Sequence, residues 1–307
     1  MIDILMATYN GENYLRPQID SILRQKNQQW RLIIRDDCST DNTVQIIKEY
    51  QLLRPEQIFL IQADEQSGSA QNNFFQLLQY STAEYVMFAD QDDVWLQQKV
   101  EMTLDKMQQM EQQYGKEKPL LVHTDLAVVD ANLRILNHSL FQMQEMDAER
   151  KRLNNILVQN IVTGCTMMVN RALLNLVVEI PEKSIMHDMW LALIAAAFGE
   201  LGFVERAVIM YRQHGNNANG AKNVKTLKYF LWKLNGAEEI HKNLVQQYRQ
   251  AGEFCQIYDS LLTQQQKEML QAYSSFEDKN VIEKFMLLRK YKLYKKGFVR
   301  VMGQLLR

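Results

Sequence analysis

The amino-terminal part of the chain alternates short apolar runs with amphipathic segments, and nothing else in the sequence restricts the fold as strongly. Ile2 to Ala7, Trp30 to Arg35, Ile58 to Gln62 and Tyr85 to Ala89 are rich in β-branched and aromatic residues, and a helix-length stretch separates each from the next. Parallel strands need a crossover of that length and are buried on both faces, which gives near-continuous apolar runs. The rhythm is therefore βαβ, and the expected core is a largely parallel sheet flanked by helices. Asp41 or Thr40 is placed to cap a helix running to Leu53, and Ser69 to cap one over Ala70 to Gln79. A longer helix is expected over Gln97 to Gln113, followed by a strand over Leu120 to Val129.

Beyond that strand the alternation weakens. Helical patterns cover Ala148 to Gln159, Arg171 to Val178 and Asp188 to Phe198, while Cys165 to Val169 and Val208 to Tyr211 read as strands. From about Asn223 onward the chain is nearly free of Pro and strand signals and reads as consecutive helices. A boundary near Gly220 then divides residues 1–220, an α/β domain, from residues 221–307, a helical region.

Composition excludes several classes. With 47% hydrophobic residues in 307, disorder is ruled out, and the most apolar stretch, Leu191 to Phe198, is far shorter than the roughly 18 residues a membrane helix needs. Cys38, Cys165 and Cys255 are odd in number and far apart, so neither a disulfide framework nor a CxxC site is expected. The opening MIDILMATYN lacks a basic leader, which predicts a cytoplasmic protein. The net charge of -1 is unevenly spread: residues 279–307 carry nine Lys or Arg against Glu283 alone, so this end is +8 and the remainder -9. Cations mixed with apolar residues at helical spacing read as an interfacial amphipathic helix for an anionic membrane surface, or as a helix whose apolar stripe packs on the body. Nucleic acid is not expected, because the tail carries no recognition motif and the body is acidic.

In an open parallel sheet ligands bind at the carboxyl ends of the strands. The polar residues just past the first, second and fourth strands are Ala7-Thr8-Tyr9-Asn10-Gly11-Glu12, Asp36-Asp37-Cys38-Ser39 and Asp90-Gln91-Asp92-Asp93. Two acidic clusters thus meet on one edge. Carboxylates so concentrated repel one another unless a cation neutralises them, and Mg²⁺ or Mn²⁺ bridging to a diphosphate suits hard oxygen ligands. The same residues could instead make Asx turns or cap the following helices.

The segments ATYNGENYL (7–15), IIRDDCSTDNT (33–43), FADQDDVW (88–95), TGCTMMVNRALL (163–174), HDMW (187–190) and YRQHGNN (211–217) together resemble family 2 glycosyltransferases of the GT-A fold, in the family's order. FADQDDVW with YRQHGNN is most similar to bacterial rhamnosyltransferases of cell-wall or capsular polysaccharide synthesis. The resemblance implies a Rossmann-like, mostly parallel sheet with an all-helical carboxyl-terminal region, and an inverting, metal-dependent transferase. It places Ala7, Thr8, Tyr9, Glu12, Asp36, Asp37 and Asp90 around the donor nucleotide, with the Asp36–Asp37 pair on the base. It makes Asp92 and His214 metal-binding, Asp188 the general base, and Gly164, His187 and Trp190 acceptor-side residues. His187 stands where the family more often has Glu, and Trp190 could as well be core. The donor implied is dTDP-rhamnose or, alternatively, a UDP-sugar, and the acceptor a lipid-linked glycan. The enzyme is then peripheral at the inner face of the plasma membrane, held by its basic tail, and homodimerisation is compatible with this. A nucleotidyltransferase is disfavoured by the lack of a Gly-rich basic loop after the first strand, and a non-catalytic scaffold by the presence of Asp92 and Asp188.

Overall fold

The computed structural model describes residues 1–215 and 237–305. In chain order the elements are β1 (Ile2–Thr8), α1 (Leu15–Leu23), β2 (Trp30–Asp36), α2 (Thr43–Leu53), β3 (Ile58–Gln62), α3 (Ala70–Leu78), β4 (Tyr85–Ala89), β5 (Val94–Trp95), α4 (Lys99–Tyr114), β6 (Leu120–Val129), β7 (Ile135–Asn137), α5 (Leu140–Met143), α6 (Leu153–Val158), β8 (Met168–Asn170), α7 (Arg171–Leu174), α8 (His187–Phe198), β9 (Glu200–Arg212), α9 (Ala237–Ile257), α10 (Gln264–Ser274), α11 (Val281–Tyr291) and α12 (Phe298–Leu305). They form two compact units. The described part of the first is residues 1–141, 162–180 and 199–215, and that of the second is 142–161, 181–198 and 237–305. The boundary expected at Gly220 lies outside the described residues.

The first unit is built on one sheet with strand order β3-β2-β1-β4-β8-β6-β9-β5, β7 pairing with the side of β6. β1 runs parallel to both β2 and β4, and β2 parallel to β3, as the βαβ rhythm requires. The order reverses at β1: the chain winds outward through β2 and β3, then returns to lay β4 on the other side. The carboxyl ends of β1 and β4 therefore open a crevice at a topological switch point. Beyond β4 the pairing departs from simple repetition. β8 inserts antiparallel between β4 and β6, and β9 pairs parallel with β6.

Local chemistry explains most boundaries. Ser69 caps α3, its hydroxyl accepting from the Asn72 N–H at 3.1 Å. The cap expected at Asp41 or Thr40 falls instead at Asn42, with Asp41 Oδ1 accepting from Thr43 N–H at 2.9 Å just inside. α4 stops at Gly115, whose φ of 89° a side chain would resist. Three expected elements are shorter: α6 covers only Leu153–Val158, α7 only Arg171–Leu174, and Cys165 to Val169 splits into a one-turn helix, Gly164–Thr166, followed by β8. Val208 to Tyr211 proves to be the end of the thirteen-residue β9.

Within the sheet, His123 of β6 is buried between the rings of Phe141 and Phe203, at centroid distances of 5.8 and 5.0 Å. Burial pushes its imidazole down to about 3 from 6.5, and burial does the same to His187. Between those values the unfolded chain binds protons that the native state refuses. Stability is thus present above about pH 6.5 and is lost as pH falls toward 3. Replacing His123 with Leu is expected to flatten this fall by up to about 1.4 kcal/mol per pH unit across the window. Urea unfolding of both proteins at about pH 7 and pH 4 checks it, and parallel losses in the two would refute the assignment to His123.

The second unit is helical. Trp190 of α8 is buried against Phe254 of α9 and Tyr258 just past its end, with centroids 5.2 and 6.1 Å away, so it serves as core and offers no face to a sugar. Capping boxes start α10 (Thr263 with Gln266) and α11 (Asn280 with Glu283). The basic end is not one continuous helix: residues 292–297 separate α11 from α12. Part of its charge is also folded inward, since Lys296 Nζ donates to the Met146 carbonyl and Arg300 to those of Gln144 and Lys296. Among the described residues no helix is long and apolar enough to cross a membrane.

Candidate active site

The loops after β1 and β2 are laced together by side chains. Asn10 N–H donates to Ser39 Oγ (2.8 Å), Gly11 N–H to Thr43 Oγ1 (2.7 Å), Glu12 N–H to Asp41 Oδ2 (3.1 Å), and Thr40 N–H to Asn10 Oδ1 (2.9 Å). Glu12 Oε2 accepts from both the backbone and the side-chain amide of Asn42. Asn10 and Cys38 hold φ of 48° and 63°, a left-handed backbone that costs non-glycine residues free energy and that tends to cluster at functional sites. The lacing offsets that cost.

Asp36 and Asp37 fit inside this network. Asp36 accepts from Thr8 Oγ1 (3.0 Å), Ser39 N–H (2.9 Å) and Ser39 Oγ (2.6 Å). Asp37 pairs with the buried Arg35 guanidinium at 2.9 Å and accepts from Ser67 N–H and Oγ. Both carboxylates are therefore buried braces of the loops after β1 and β2, while Tyr9, just past β1, is 47% exposed.

The fourth-strand loop joins these loops through Gln91. Its carboxamide accepts from Tyr9 N–H and donates to the Tyr9 carbonyl, both at 3.0 Å, imitating a strand pair. Gly11 leaves the room this needs, since a Cβ there would lie 2.3 Å from Gln91 Oε1. Asp90 is fixed from behind by Gln18 Nε2, which donates to its carbonyl at 2.9 Å. Asp92 Oδ2 lies 2.7 Å from His214 Nε2, and both side chains are partly open, at 16% and 12% exposure. The second and fourth loops and the end of β9 thus meet at one edge.

Two residues that motif spacing gave no role hold this geometry. Arg212, at the end of β9, donates from Nε to the Asp92 carbonyl (2.8 Å), from NH1 to the Ala131 carbonyl (2.6 Å) and from its backbone N–H to Asp93 Oδ1 (3.1 Å). Its guanidinium also stands 4.7 Å from the Tyr14 ring centroid, and Tyr14 stacks on His214 at 4.7 Å. Both lie inside quoted motifs, Arg212 in YRQHGNN and Tyr14 in ATYNGENYL. The missing signal was spatial: only pairing β5 with β9, Val94 to Met210 and Trp95 to Ile209, brings the two segments together. Asn216 and Asn217 of that motif lie outside the described residues.

Beneath the edge sits a closed layer. The ligand atoms of Asp90, Asp93 and Cys165 lie within 4.8 Å of one another. Asp93 is fully buried and its Oδ2 has no hydrogen-bond partner; burial, then the charges of Asp90 and Asp92, push its carboxyl well above the usual range. Burial likewise raises the Cys165 thiol. Facing them is Lys99, also fully buried, its ammonium 3.5 Å from the Trp95 ring centroid and lowered to about 7 by burial, against the pull of Cys165, Asp93 and Asp90. Lys99 answers the negative charge from below. Asp92 and His214 offer the oxygen and nitrogen that suit a divalent cation, Asp90 is adjacent, and the rise of the buried Asp93 carboxyl, after burial, reflects the charges of Asp90 and Asp92.

The remaining candidates are spread over both units. Gly164 opens the turn that carries Cys165 against Asp93. His187 and Asp188 open α8 in the second unit; His187 is 3% exposed, whereas Asp188 is half-buried, with Oδ1 accepting from Met189 N–H at 2.6 Å. Asp188 is thus in the first helical turn and not before it.

Comparison with known proteins gives the family that this chain resembles. Residues 3–115 match the model of Glycosyl transferase family 2. The chain is 28% identical over 238 residues to a dTDP-rhamnosyl transferase, RfbG, of Shigella flexneri, covering 73% of this chain and 76% of that one. It is 28% identical over 178 residues to WfgD of Escherichia coli, a UDP-Glc:alpha-D-GlcNAc-diphosphoundecaprenol beta-1,3-glucosyltransferase, covering 57% of this chain and 62% of the relative. Staphylococcus aureus TarS 1–349 in complex with UDP-GlcNAc superposes with a TM-score of 0.56 at 16% identity, over 90% of this chain and 80% of that chain. The mannosyltransferase PcManGT of Pyrobaculum calidifontis, in complex with GDP-Man and Mn²⁺, gives 0.55 at 16% identity, over 99% and 83%. The last two show a shared GT-A fold.

Proposed function

Because the chain carries a glycosyl transferase family 2 domain it is a glycosyltransferase, and we propose that it moves rhamnose, with inversion, from dTDP-rhamnose to a hydroxyl of a lipid-linked surface polysaccharide. The observation that carries the reading is the meeting of Asp92 with His214 at the carboxyl edge of β4, beside the β1–β2 wall. A diphosphate needs a cation there, and these residues can hold one.

The Asp36–Asp37 wall and Thr8 frame the nucleotide, Tyr9 and Glu12 line its rim, and Asp90 faces the ribose or the metal. Asp92 and His214 hold Mg²⁺ or Mn²⁺, which when bound stabilises the charge that develops on the departing diphosphate. Asp188 takes the proton from the acceptor hydroxyl as general base, and the acceptor oxygen attacks the anomeric carbon from the side opposite the leaving group. One displacement inverts that carbon, and no covalent intermediate is needed. The basic carboxyl-terminal end keeps the enzyme at the membrane face where a lipid-borne acceptor is presented.

A second reading keeps the mechanism and changes the donor to a UDP-hexose, supported by the relative whose name specifies UDP-Glc. The test is a binding and hydrolysis screen with thymidine-, uridine- and guanosine-diphosphate sugars, each with and without Mn²⁺. Metal-dependent preference for dTDP-rhamnose is the expected result. Preference for a UDP-sugar selects the second reading, and failure of every donor to bind leaves only a scaffold role.

A further inference from the structure

A helix on the surface of a water-soluble unit normally turns its apolar stripe inward and its charges outward. α11 does the reverse. Its inward side carries Leu288 and Lys284, 0% and 6% exposed, while Val281, Ile282, Phe285 and Met286 stand 51%, 71%, 50% and 56% exposed. At 3.6 residues per turn those four and Arg289 share an arc of about 140°, and Arg289, Lys290 and Lys292 are exposed at its carboxyl-terminal end. The nearby acids are fewer: Glu283 accepts from the Asn280 N–H within the capping box and lies 3.9 Å from Lys279, Glu268 of α10 acts on Lys290, and Glu277 and Asp278 precede the helix. Four large apolar side chains contiguous with cations need an occupant that is oily beneath and negative at its surface.

We propose that this outward face of α11 is a membrane-contact surface, which lays Ile282, Phe285 and Met286 among the acyl chains of an anionic leaflet while Arg289, Lys290 and Lys292 meet the lipid phosphates. The inference rests, for its purpose, on the reading of a lipid-linked acceptor, and it narrows the basic tail to one helix face. Charge complementarity is the argument for a bilayer over a second copy of the chain: residues 279–307 carry +8, and two such faces would repel one another.

The experiment floats the full protein with vesicles of phosphatidylcholine alone and of phosphatidylcholine mixed with phosphatidylglycerol, at low and high salt. The parent should bind the mixed vesicles, and the triple variant Ile282→Ser, Phe285→Ser, Met286→Ser should bind them about a hundredfold more weakly. Because all three side chains are exposed, its thermal unfolding should match the parent's. The pair Arg289→Gln, Lys290→Gln should lose the salt-sensitive part of the binding and keep the rest. Equal binding by the parent and the triple variant, or no binding by the parent, overturns the proposal; so does a parent dimer that the triple variant alone dissolves without change in vesicle binding. Nucleotide-sugar binding measured on the same preparations separates this outcome from failure of the transferase reading, since the donor side uses none of these residues.

Discussion

Asp92→Asn protein should fold normally and transfer sugar about a thousandfold more slowly than the parent, a loss of roughly 4 kcal/mol of transition-state stabilisation. Asp92 is the carboxylate that reaches His214, at 2.7 Å, and both are partly open to a ligand. Asparagine keeps the shape and one acceptor oxygen, and the clamp from Arg212 remains, because it grips the Asp92 carbonyl and not the side chain. What disappears is the charge that a divalent cation needs. Two readouts check this: initial transfer rates against Mn²⁺ concentration, and Mn²⁺ binding to the protein with nucleoside diphosphate present. More than a tenth of parental activity at saturating Mn²⁺ would remove Asp92 from the metal site. Asp93→Asn provides the contrast. That carboxyl is buried beside Lys99 and Cys165, so its replacement should act through the packing and hydrogen bonding of this buried layer, and hence through stability.

The parts of the fold that local pattern encodes were readable in advance. β1 to β4 and the Ser69 cap lie where the period of the apolar residues and the side-chain oxygen put them, because each depends on neighbours a few positions away. The insertion of β8 between β4 and β6, and the pairing of β9 with both β6 and β5, were not readable, since strand pairing over such separations leaves no period in the sequence. The same limit applies at the site. Asp90, Asp92 and His214 were named from motifs, but Arg212 and Tyr14 act through contacts that need β9 paired with β5, and Gln91 through its reach across to the Tyr9 backbone in the loop after β1. Trp190 shows the converse ambiguity. An aromatic residue opening an apolar helix is compatible with a platform or with core, and only the approach of Phe254 and Tyr258 decides for core.

Asp188→Asn tests the general base, and the local geometry makes the test clean. Asp188 Oδ1 already accepts from the Met189 N–H in the first turn of α8, a position where a side-chain oxygen and a negative charge each contribute about 1 kcal/mol or less to helix stability. Asparagine retains the acceptor oxygen and forfeits only the charge, so unfolding should shift little. It cannot take a proton from an acceptor hydroxyl, and loss of a general base costs about 10² to 10⁴ in rate. On the proposed general-base role, the expected result is therefore a fall of that size in kcat for transfer, with KM for the nucleotide sugar unchanged. A helix-capping role alone predicts the opposite split: a lower melting temperature in Asp188→Ala, rescue by Asn, and near-parental kcat in Asp188→Asn. Transfer that stays within about threefold of the parent, an increment of less than 1 kcal/mol, would return the proton-accepting role to another residue.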